Sequence, residues 1–391
     1  MKKETCAYRT KTILNPRNNH GLQDYWPVGI DIGYSAVKCF SPNMTAQFPS
    51  FALPVENTGT IGALPGSYIL YTDLETGENW LVGQAAQDEL SSRSPNSSDA
   101  VLFGRDRYYN ESFRVLLRTG LGISSKPSPL GTPEGKKMKI MTGLPPAYQE
   151  EDSPVLRSVF AGRHHFSLTI GNSKPAEFDF TLSEADVSIV SQPFGTLYTV
   201  AFDNNGKIPE GQKDFLNKNI LIFDPGFGTF DLFSVKNHKL GTSETFDDLG
   251  MKQVLKNTID RIYREYGVHY TVAAFQNCLE KGTVTVSDRR KRVSAEIPFE
   301  DILFEESEKV CQAAIDRTFD AFPLSEYDCL VLTGGTSAAW NDILRTSLSG
   351  MSGLTIVNGN VNDPSLPLSF ANVRGYYYYL YVSLLQQQKG N

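Results

Sequence analysis

The sequence predicts an α/β protein with two related domains, each a mixed β-sheet flanked by helices. Segments with strand-like alternation and segments with helical periodicity follow one another along the chain, an order typical of sheets covered by helices. A length of 391 residues favours two hydrophobic cores over one. The pattern of residues 30–40 also recurs at residues 223–233, which indicates that the two halves are related.

The composition limits the classes of protein to consider. A hydrophobic content of 40% is enough for a globular interior. The formal net charge of −7 gives no general attraction to nucleic acid or to anionic membranes. The five cysteines form no CxxC pair, which favours free thiols in a reducing compartment and offers no zinc site. No signal-peptide core and no apolar run of ~20 residues is present, so we expect a cytoplasmic protein.

The first part of the chain is predicted to begin with an extension and to continue mainly as strands. Residues 1–25 are polar and lack periodicity, which predicts an N-terminal extension. The segments that follow are predicted as a strand-turn-strand at 28–40, strands up to 83, a loop at 91–100, a helix at 108–122 and a loop at 124–137.

From residue 138 onward, strands and helices alternate. Apolar residues at i, i+3, i+4 and i+7 make the helix at 249–267 the clearest in the sequence. The other segments are predicted as a strand at 138–146, a helix at 153–162, strands at 164–170 and 176–182, a hairpin at 221–235, a charged loop at 287–296, a helix at 300–322, a strand-glycine-helix unit at 329–340 and a packed helix or strand at 375–385.

Two hairpins, IDIGYSAVKCF (30–40) and FDPGFGTFDLF (223–233), share one pattern. Each has an aspartate near the end of its first strand, a glycine two residues later, and then an aromatic residue and two small residues. The equivalent positions are Asp31 and Asp224, Gly33 and Gly226, Tyr34 and Phe227, and Phe40 and Phe233, with Lys38 matched by Asp231.

This pair of hairpins is suited to binding phosphate. A glycine turn lets backbone N–H groups approach an anion, the hydroxyls of Ser35 and Thr229 can donate, and Lys38 adds a positive charge. Asp31 and Asp224 would repel a phosphate, so their presence indicates Mg²⁺ between the carboxylates and the phosphate. Each hairpin taken alone is also compatible with an ordinary β-turn, because Asp and Gly are common turn residues.

A third motif, VLTGGTSAAW (331–340), has the strand-Gly-Gly-helix form that brings a ligand to a helix N-terminus. The order of the three motifs resembles that of the actin, sugar-kinase and heat-shock-chaperone ATPase superfamily, over residues 26–385. Within it the chain is most similar to bacterial actins of the ParM/StbA plasmid-segregation type. The further segments that carry this resemblance are 141–149, 156–168, 248–259 and 370–379.

The resemblance implies an actin-like fold with a nucleotide cleft between two domains, and it implies roles for individual residues. Asp31 and Asp224 would bind Mg²⁺, Asp224 would also be catalytic, and Gln192 in SQPFGTLY would orient the attacking water. ParM relatives often have Glu at that position, whereas actin has Gln. Pro225 departs from the family, and we expect it to stiffen the second loop. The implied nucleotide-binding residues are Gly33, Tyr34, Ser35, Lys38, Gly226, Phe227, Gly228, Thr229, Gly334, Gly335 and Thr336.

The resemblance also implies a domain organisation and a function. Domain I would comprise residues 26–196 and 368–391, and domain II residues 197–367 with a small lobe near 240–305, while the extension at 1–25 has no counterpart in the family. The implied activity is ATP hydrolysis coupled to polymerisation into dynamic filaments with Mg·ATP, driving plasmid segregation. The expected partners are further copies of the chain and an adaptor protein bound to centromere-like plasmid DNA, with no direct binding to DNA or to membranes.

A sugar or acid kinase on the same fold is the alternative function. Such a kinase needs a cleft aspartate as base for a substrate hydroxyl, and no such motif is evident. A chaperone-type ATPase is disfavoured because no β-rich peptide-binding region follows the third motif. The sequence does not distinguish ATP from GTP, and it does not determine the cargo or the strand number, handedness and polarity of a filament.

Three weaker signals have simpler interpretations. The basic run at 289–292 is predicted to be a solvated loop, with a filament contact as an alternative, rather than a nucleic-acid patch. His164 and His165 are predicted to be alternating strand residues rather than metal ligands. The tyrosines at 376–379 are predicted to be core and interface aromatics rather than a site.

Overall fold

The computed structural model describes residues 5–17, 19, 21–56, 68–93, 104–129, 131–237, 239–288 and 293–390. Within these residues the architecture is α/β, with three larger sheets, one separate hairpin and helices packed against them, as the sequence predicts. The basic run at 289–292 lies outside the described residues, as do residues 94–100 of one predicted loop.

The first sheet has six strands in the order β1-β4-β3-β2-β8-β11. Strand β2 lies inside it, antiparallel to β3 and parallel to β8, and all but its first residue is buried. The strands are β1 (Ile13–Pro16), β2 (Tyr25–Ile32), β3 (Ala36–Phe40), β4 (Met44–Pro49), β8 (Lys137–Leu144) and β11 (Val187–Ser191).

A second sheet of five antiparallel strands shares an apolar core with the first sheet, and we call these two sheets with their helices the first lobe. The strands of the second sheet have the order β10-β9-β6-β7-β5. Strand β9 has the alternating burial of a sheet with one covered face, which places His164 inside and His165 outside. These histidines are therefore alternating strand residues, as predicted. The strands are β5 (Ala52–Pro54), β6 (Ile69–Asp73), β7 (Asn79–Val82), β9 (Gly162–Ile170) and β10 (Ala176–Leu182).

The third sheet, a separate hairpin and the helices packed against them form a second apolar unit, which we call the second lobe. The strands of the third sheet have the order β14-β13-β12-β17-β18. Its central strand β12 is antiparallel to β13 and parallel to β17, so its surroundings match those of β2 in the first sheet. The strands are β12 (Ile220–Pro225), β13 (Phe230–Lys236), β14 (Lys239–Phe246), β17 (Cys329–Leu332) and β18 (Thr355–Asn358), and a separate hairpin consists of β15 (Thr283–Asp288) and β16 (Val293–Pro298).

The helices cover both lobes. Helix α6 buries Met251, Val254, Leu255, Ile259 and Ile262, the stripe that its 3.6-residue periodicity predicts. The helices are α1 (Gln84–Arg93), α2 (Glu111–Ser124), α3 (Gln149–Phe160), α4 (Gln192–Ala201), α5 (Glu210–Lys213), α6 (Met251–Tyr266), α7 (Val272–Lys281), α8 (Glu300–Ala321), α9 (Gly335–Ser347) and α10 (Ala371–Gly390).

Two large apolar cores correspond to the two lobes. One lies around β2 and α2, and the other lies between the third sheet and α6 to α9. A further cluster surrounds α10, which returns to the first lobe and buries Tyr376, Tyr377 and Tyr378. Three of the four tyrosines at 376–379 are thus core, as predicted, and Tyr379 is half-buried. The domain boundaries given above remain predictions.

Three segments differ from the expectations. Residues 91–93, expected in a loop, end helix α1, whose sequence QAAQDELSSR has no apolar stripe to reveal it. Residues 287–288 and 293–296, expected in a charged loop, belong to β15 and β16. Strand β16 is mostly exposed to solvent, and an exposed strand can carry polar and charged side chains. The extension contributes β1 to the edge of the first sheet, where it pairs with β4.

The described part of the chain also bears on two smaller expectations. The thiols of Cys39, Cys278, Cys311 and Cys329 are free. Among the described residues we find no helix whose length and apolarity would let it cross a bilayer.

Candidate functional site

The first hairpin, β2–β3, places a carboxylate opposite a cation. Asp31 and Lys38 are direct partners in the β2–β3 register, and Lys38 Nζ lies 3.0 Å from Asp31 Oδ2. The turn is closed by the N–H of Gly33, which donates to the carbonyl of Ala36 at 2.9 Å. Both charged side chains are largely buried, so the ion pair reduces the cost of removing the Asp31 carboxylate from water.

The second hairpin, β12–β13, repeats this geometry without the cation. Asp224 lies opposite Asp231 in the register, and the N–H of Gly226 donates to the carbonyl of Thr229 at 2.8 Å. The correspondence between the two hairpins that the sequence predicts is therefore present in the backbone. Asp224 accepts from Asn372 Nδ2 at 2.7 Å and lacks the ammonium partner that Asp31 has.

The carboxyl groups of the second hairpin titrate abnormally because they are buried. Burial raises the pKa of Asp224 to about 6, and the Asp31 charge adds to this, against the opposing effects of Asn372 and Lys38. Burial and the neighbouring Asp224 raise the pKa of Asp231 to about 8, although the hydroxyls of Thr245 and Thr229 donate to it. The cluster therefore has more carboxylates than Lys38 can neutralise, which favours a further cation.

The third motif packs against the second hairpin. Gly334 has φ +80, and a Cβ on it would lie 2.4 Å from Asp224 Oδ1, so a glycine is required both by the backbone and by the close approach. Thr336 Oγ1 donates to the carbonyl of Gly226 at 2.7 Å. The N-terminus of α9 thus meets the turn of the second hairpin, where its free N–H groups can bind an anion.

All three motifs face one cavity of about 390 Å³. The ring of Tyr34 packs on Gly228, so the tips of the two hairpins touch across it, and the Arg107 guanidinium lies 4.2 Å from the centre of that ring. Every site residue that the sequence predicts lines this cavity, namely Asp31, Gly33, Tyr34, Ser35, Lys38, Gln192, Asp224, Gly226, Phe227, Gly228, Thr229, Gly334, Gly335 and Thr336.

Gln192 reaches the same cavity from a different element. It is the first residue of α4, and its Nε2 lies 3.4 Å from Asp31 Oδ1. Its side-chain amide is therefore beside the carboxylate cluster, where it can both donate to and accept from a water.

Sequence reasoning missed several residues of this cavity. Asn372 lies in the segment 370–379 that carries the family resemblance, but only the fold brings it to Asp224. Arg107 precedes α2 in a short turn with no recognisable motif. Residues Ala7 to Lys11 of the extension also line the cavity, although nothing in their sequence indicates a ligand.

The residues present fit a magnesium ion that is bound together with phosphate. The described residues contain no group of three or more His, Cys, Asp or Glu side chains that could hold a metal by themselves. Mg²⁺ usually keeps several waters and takes one or two carboxylates plus substrate phosphates. Asp31 and Asp224, both buried in the same cavity, offer that donor set.

Comparisons with known proteins agree with this architecture. The family model for actin-like proteins, N-terminal domain, matches residues 29–195. A sequence comparison with curated proteins found no significant match.

Solved structures resemble nearly the whole chain. A non-polymerisable quadruple mutant of pCBH ParM has a TM-score of 0.69 at 18% identity, covering 91% of this chain and 99% of its own. A 15-stranded ParM filament from Clostridium botulinum has the same TM-score and identity, with coverages of 92% and 99%. An archaeal actin homologue in complex with ADP has a TM-score of 0.59 at 13% identity, with coverages of 92% and 99%. At these identities the likeness establishes the fold.

Proposed function

We propose that the chain binds Mg·ATP, polymerises into filaments and hydrolyses the nucleotide, since it has an actin-like fold and its residues 29–195 match the family model for the N-terminal domain of actin-like proteins. The observation that carries this proposal is the convergence of two equivalent glycine turns and a helix N-terminus on one cavity.

The hairpins would bind the phosphate chain from both sides. The turn N–H groups, the hydroxyls of Ser35 and Thr229, and the Lys38 ammonium are the donors that line the cavity. The chemistry that Mg²⁺ would supply there is positive charge against the negative charge that develops in the transition state. Asp31 and Asp224 would hold it, and their proximity to each other is unfavourable without a cation.

Gln192 is the residue we assign to orienting the attacking water. Its amide lies beside Asp31 at the same cavity, and an amide positions a water without acting as a strong base. We assign Asp224 to the same step, as a group that fixes the metal and its waters.

We further propose that the filament is the working form. The structures of the Clostridium botulinum ParM and of Alp12 are of filaments, and this chain has their fold. Other copies of the chain would then be its direct partners. An adaptor protein would connect the filament to plasmid DNA in the cytoplasm, since a net charge of −7 disfavours direct DNA contact.

Light scattering after addition of Mg·ATP tests this proposal. We expect scattering to rise as filaments form and then to decay as nucleotide is hydrolysed, and we expect no rise when EDTA removes the metal. Lys38→Ala should weaken the response, because it removes the cation beside the phosphate loops. Lys236→Ala is the matched control, since Lys236 pairs with Glu326 at the surface. A flat trace at high protein concentration, with ADP release that depends on an added sugar, would instead favour a kinase.

A further inference from the structure

The extension crosses from one lobe to the other. At one end, β1 pairs with β4 in the first sheet. At the other end, Thr5 Oγ1 donates to the carbonyl of Leu279 on α7 at 2.8 Å. Tyr8 is 8% exposed, lies in the core of the second lobe, and its hydroxyl is 3.3 Å from Ser307 Oγ. The segment 5–16 is thus anchored on both sides of the cleft.

Between these anchors the extension forms part of the cavity wall. Residues 7–11 and Ile13 line the same cavity as the three phosphate-binding motifs. The carbonyl of Lys11 accepts from Gln47 Nε2 at 3.0 Å, and the other amide atom of Gln47 accepts from Ser369 Oγ at 2.9 Å. The backbone of the extension is therefore fixed against residues that surround the candidate nucleotide site.

Arg9 connects the lobes directly, at the point where α1 meets α7. Its Nη2 lies 3.0 Å from Asp88 Oδ1 on α1 and 2.8 Å from Asn277 Oδ1 on α7. Its Nη1 lies 3.4 Å from Glu280 Oε2, also on α7. The Arg9 side chain is only 9% exposed, although it is charged. A guanidinium suits this place because its fork of donors can serve several acceptors in fixed directions.

Apolar packing and a backbone contact lie beside these bonds. Ala86 of α1 and Ala273 of α7 belong to a small apolar cluster, and Asn277 Nδ2 lies 3.4 Å from the carbonyl of Gln87. Arg9 adds charged hydrogen bonds to both helices at this junction.

We propose that residues 5–13 are a latch on the nucleotide cavity and that Arg9 is the positioning residue that holds it closed. This inference rests on the proposed function, since it takes the cavity to be the nucleotide site. With the latch in place, the extension walls the cavity and α1 stays against α7. Release of the nucleotide then requires that the bonds of Arg9 to both lobes are broken, so the latch slows nucleotide exchange.

The test is the dissociation rate of N-methylanthraniloyl-ATP from the full chain with Mg²⁺, chased with excess ATP. The protein is kept below the concentration at which scattering rises. Arg9→Ala should raise the dissociation rate by about tenfold, with a much smaller change in the association rate. Asp88→Asn should raise it less, because Asp88 is 57% exposed and only one of the three bonds is weakened. Arg9→Lys should fall between the parent and Arg9→Ala.

Arg114→Ala is the matched control. It removes an arginine that pairs with Glu111 on the surface of α2, away from the cavity, and should leave the dissociation rate within about twofold of the parent. Circular dichroism at the assay temperature shows whether each variant is folded. A merely structural role for Arg9 would lower the melting temperature without nucleotide and leave the dissociation rate unchanged.

The outcomes separate the two proposals. If the parent binds the labelled nucleotide and Arg9→Ala, Arg9→Lys and Asp88→Asn all release it at the parental rate, the latch is wrong and the nucleotide site stands. If the parent binds no nucleotide, the proposed function fails and the latch fails with it. Faster release in the Arg9 and Asp88 variants, with release at the parental rate in Arg114→Ala, supports the latch.

Discussion

Lys38 and Asp231 occupy the same position in the two hairpins, opposite Asp31 and Asp224 respectively. This single difference makes the hairpins electrostatically unequal. The first carries its own counter-ion, whereas the second has two buried carboxyl groups whose pKa values are raised mainly by burial. The sequence revealed the pairing of these positions, because strand register follows from the turn. It could not reveal Asn372, which reaches Asp224 only through tertiary packing.

Replacement of Gln192 by alanine tests a role at the residue scale. Because the amide lies beside Asp31 and not on a phosphate-binding turn, its loss should impair water positioning and leave nucleotide binding intact. We expect phosphate release to slow by about 10- to 100-fold while Mg·ATP still drives polymerisation. Gln312→Ala on the exposed face of α8 is the control. Phosphate release at the parental rate in the Gln192 variant would remove its assigned role.

His164 gives the protein a defined pH dependence. Burial lowers the pKa of His164 to about 4 from its usual 6.5, and the Arg118 charge acts in the same direction. The neutral ring fits its partners, since Nε2 can donate to the Phe160 carbonyl while Nδ1 accepts from Arg118. The unfolded chain binds a proton more readily than the folded one between pH 4 and 6.5. The contribution of the neutral His164 ring to the free energy of unfolding is therefore complete above pH 6.5 and is lost as the pH falls toward 4. The free energy of unfolding falls on this account by at most about 1.4 kcal/mol per pH unit.

Urea unfolding across that pH range measures this contribution. His164→Gln keeps a donor and an acceptor but cannot be protonated, so its free energy of unfolding should fall less than the parent's between pH 6.5 and 4. His165→Gln is the control, since His165 lies on the other face of β9 and pairs with Glu177 near the surface. Equal pH slopes for the parent and the His164 variant would show that burial of this ring does not shift its titration.

Helices α4 and α10 show how elements position the site. They cross where a Cβ on Gly375 would lie 1.7 Å from the carbonyl oxygen of Gly195. The same pair of helices carries Gln192 and Asn372 to the cavity, and Thr196 Oγ1 donates to Asn372 Oδ1 at 2.6 Å. Periodic segments such as α6 could be located from sequence alone. Helix α1 could not, because its polar sequence has no apolar stripe and the residues it packs against, such as Ala273, lie elsewhere in the chain.

Gly375→Ala tests this crossing. In an isolated helix the change would stabilise by about 1 kcal/mol, because alanine is the better helix former. Here the added methyl group meets backbone that cannot move aside easily, so we expect a net destabilisation of about 1–3 kcal/mol in urea unfolding. Gly350→Ala is the control, since a Cβ there meets no atom within 4 Å. An increase in stability for Gly375→Ala would contradict the close approach of the two helices.

On the scale of the whole molecule, the two lobes enclose the cavity from both sides. The repeated hairpin predicted that both halves would contribute, and all of the residues expected there line the cavity. The part of the cavity wall that the extension forms could not be predicted. The extension has neither periodicity nor a motif, and its place is set by contacts such as Arg9 with Asn277 and Tyr8 with Ser307, which join residues more than 250 positions apart. Such contacts leave no local signal in a single sequence.

In the proposed function, one metal-bound triphosphate lies between the two hairpins. Crystals grown with a non-hydrolysable ATP analogue and Mn²⁺ in place of Mg²⁺ test it through the anomalous signal of the metal. We expect one strong peak beside the triphosphate, with Asp31 and Asp224 as the nearest carboxylates, either directly or through one water. A nucleotide bound away from the turns at Gly33 and Gly226, or a metal peak far from both aspartates, would contradict it.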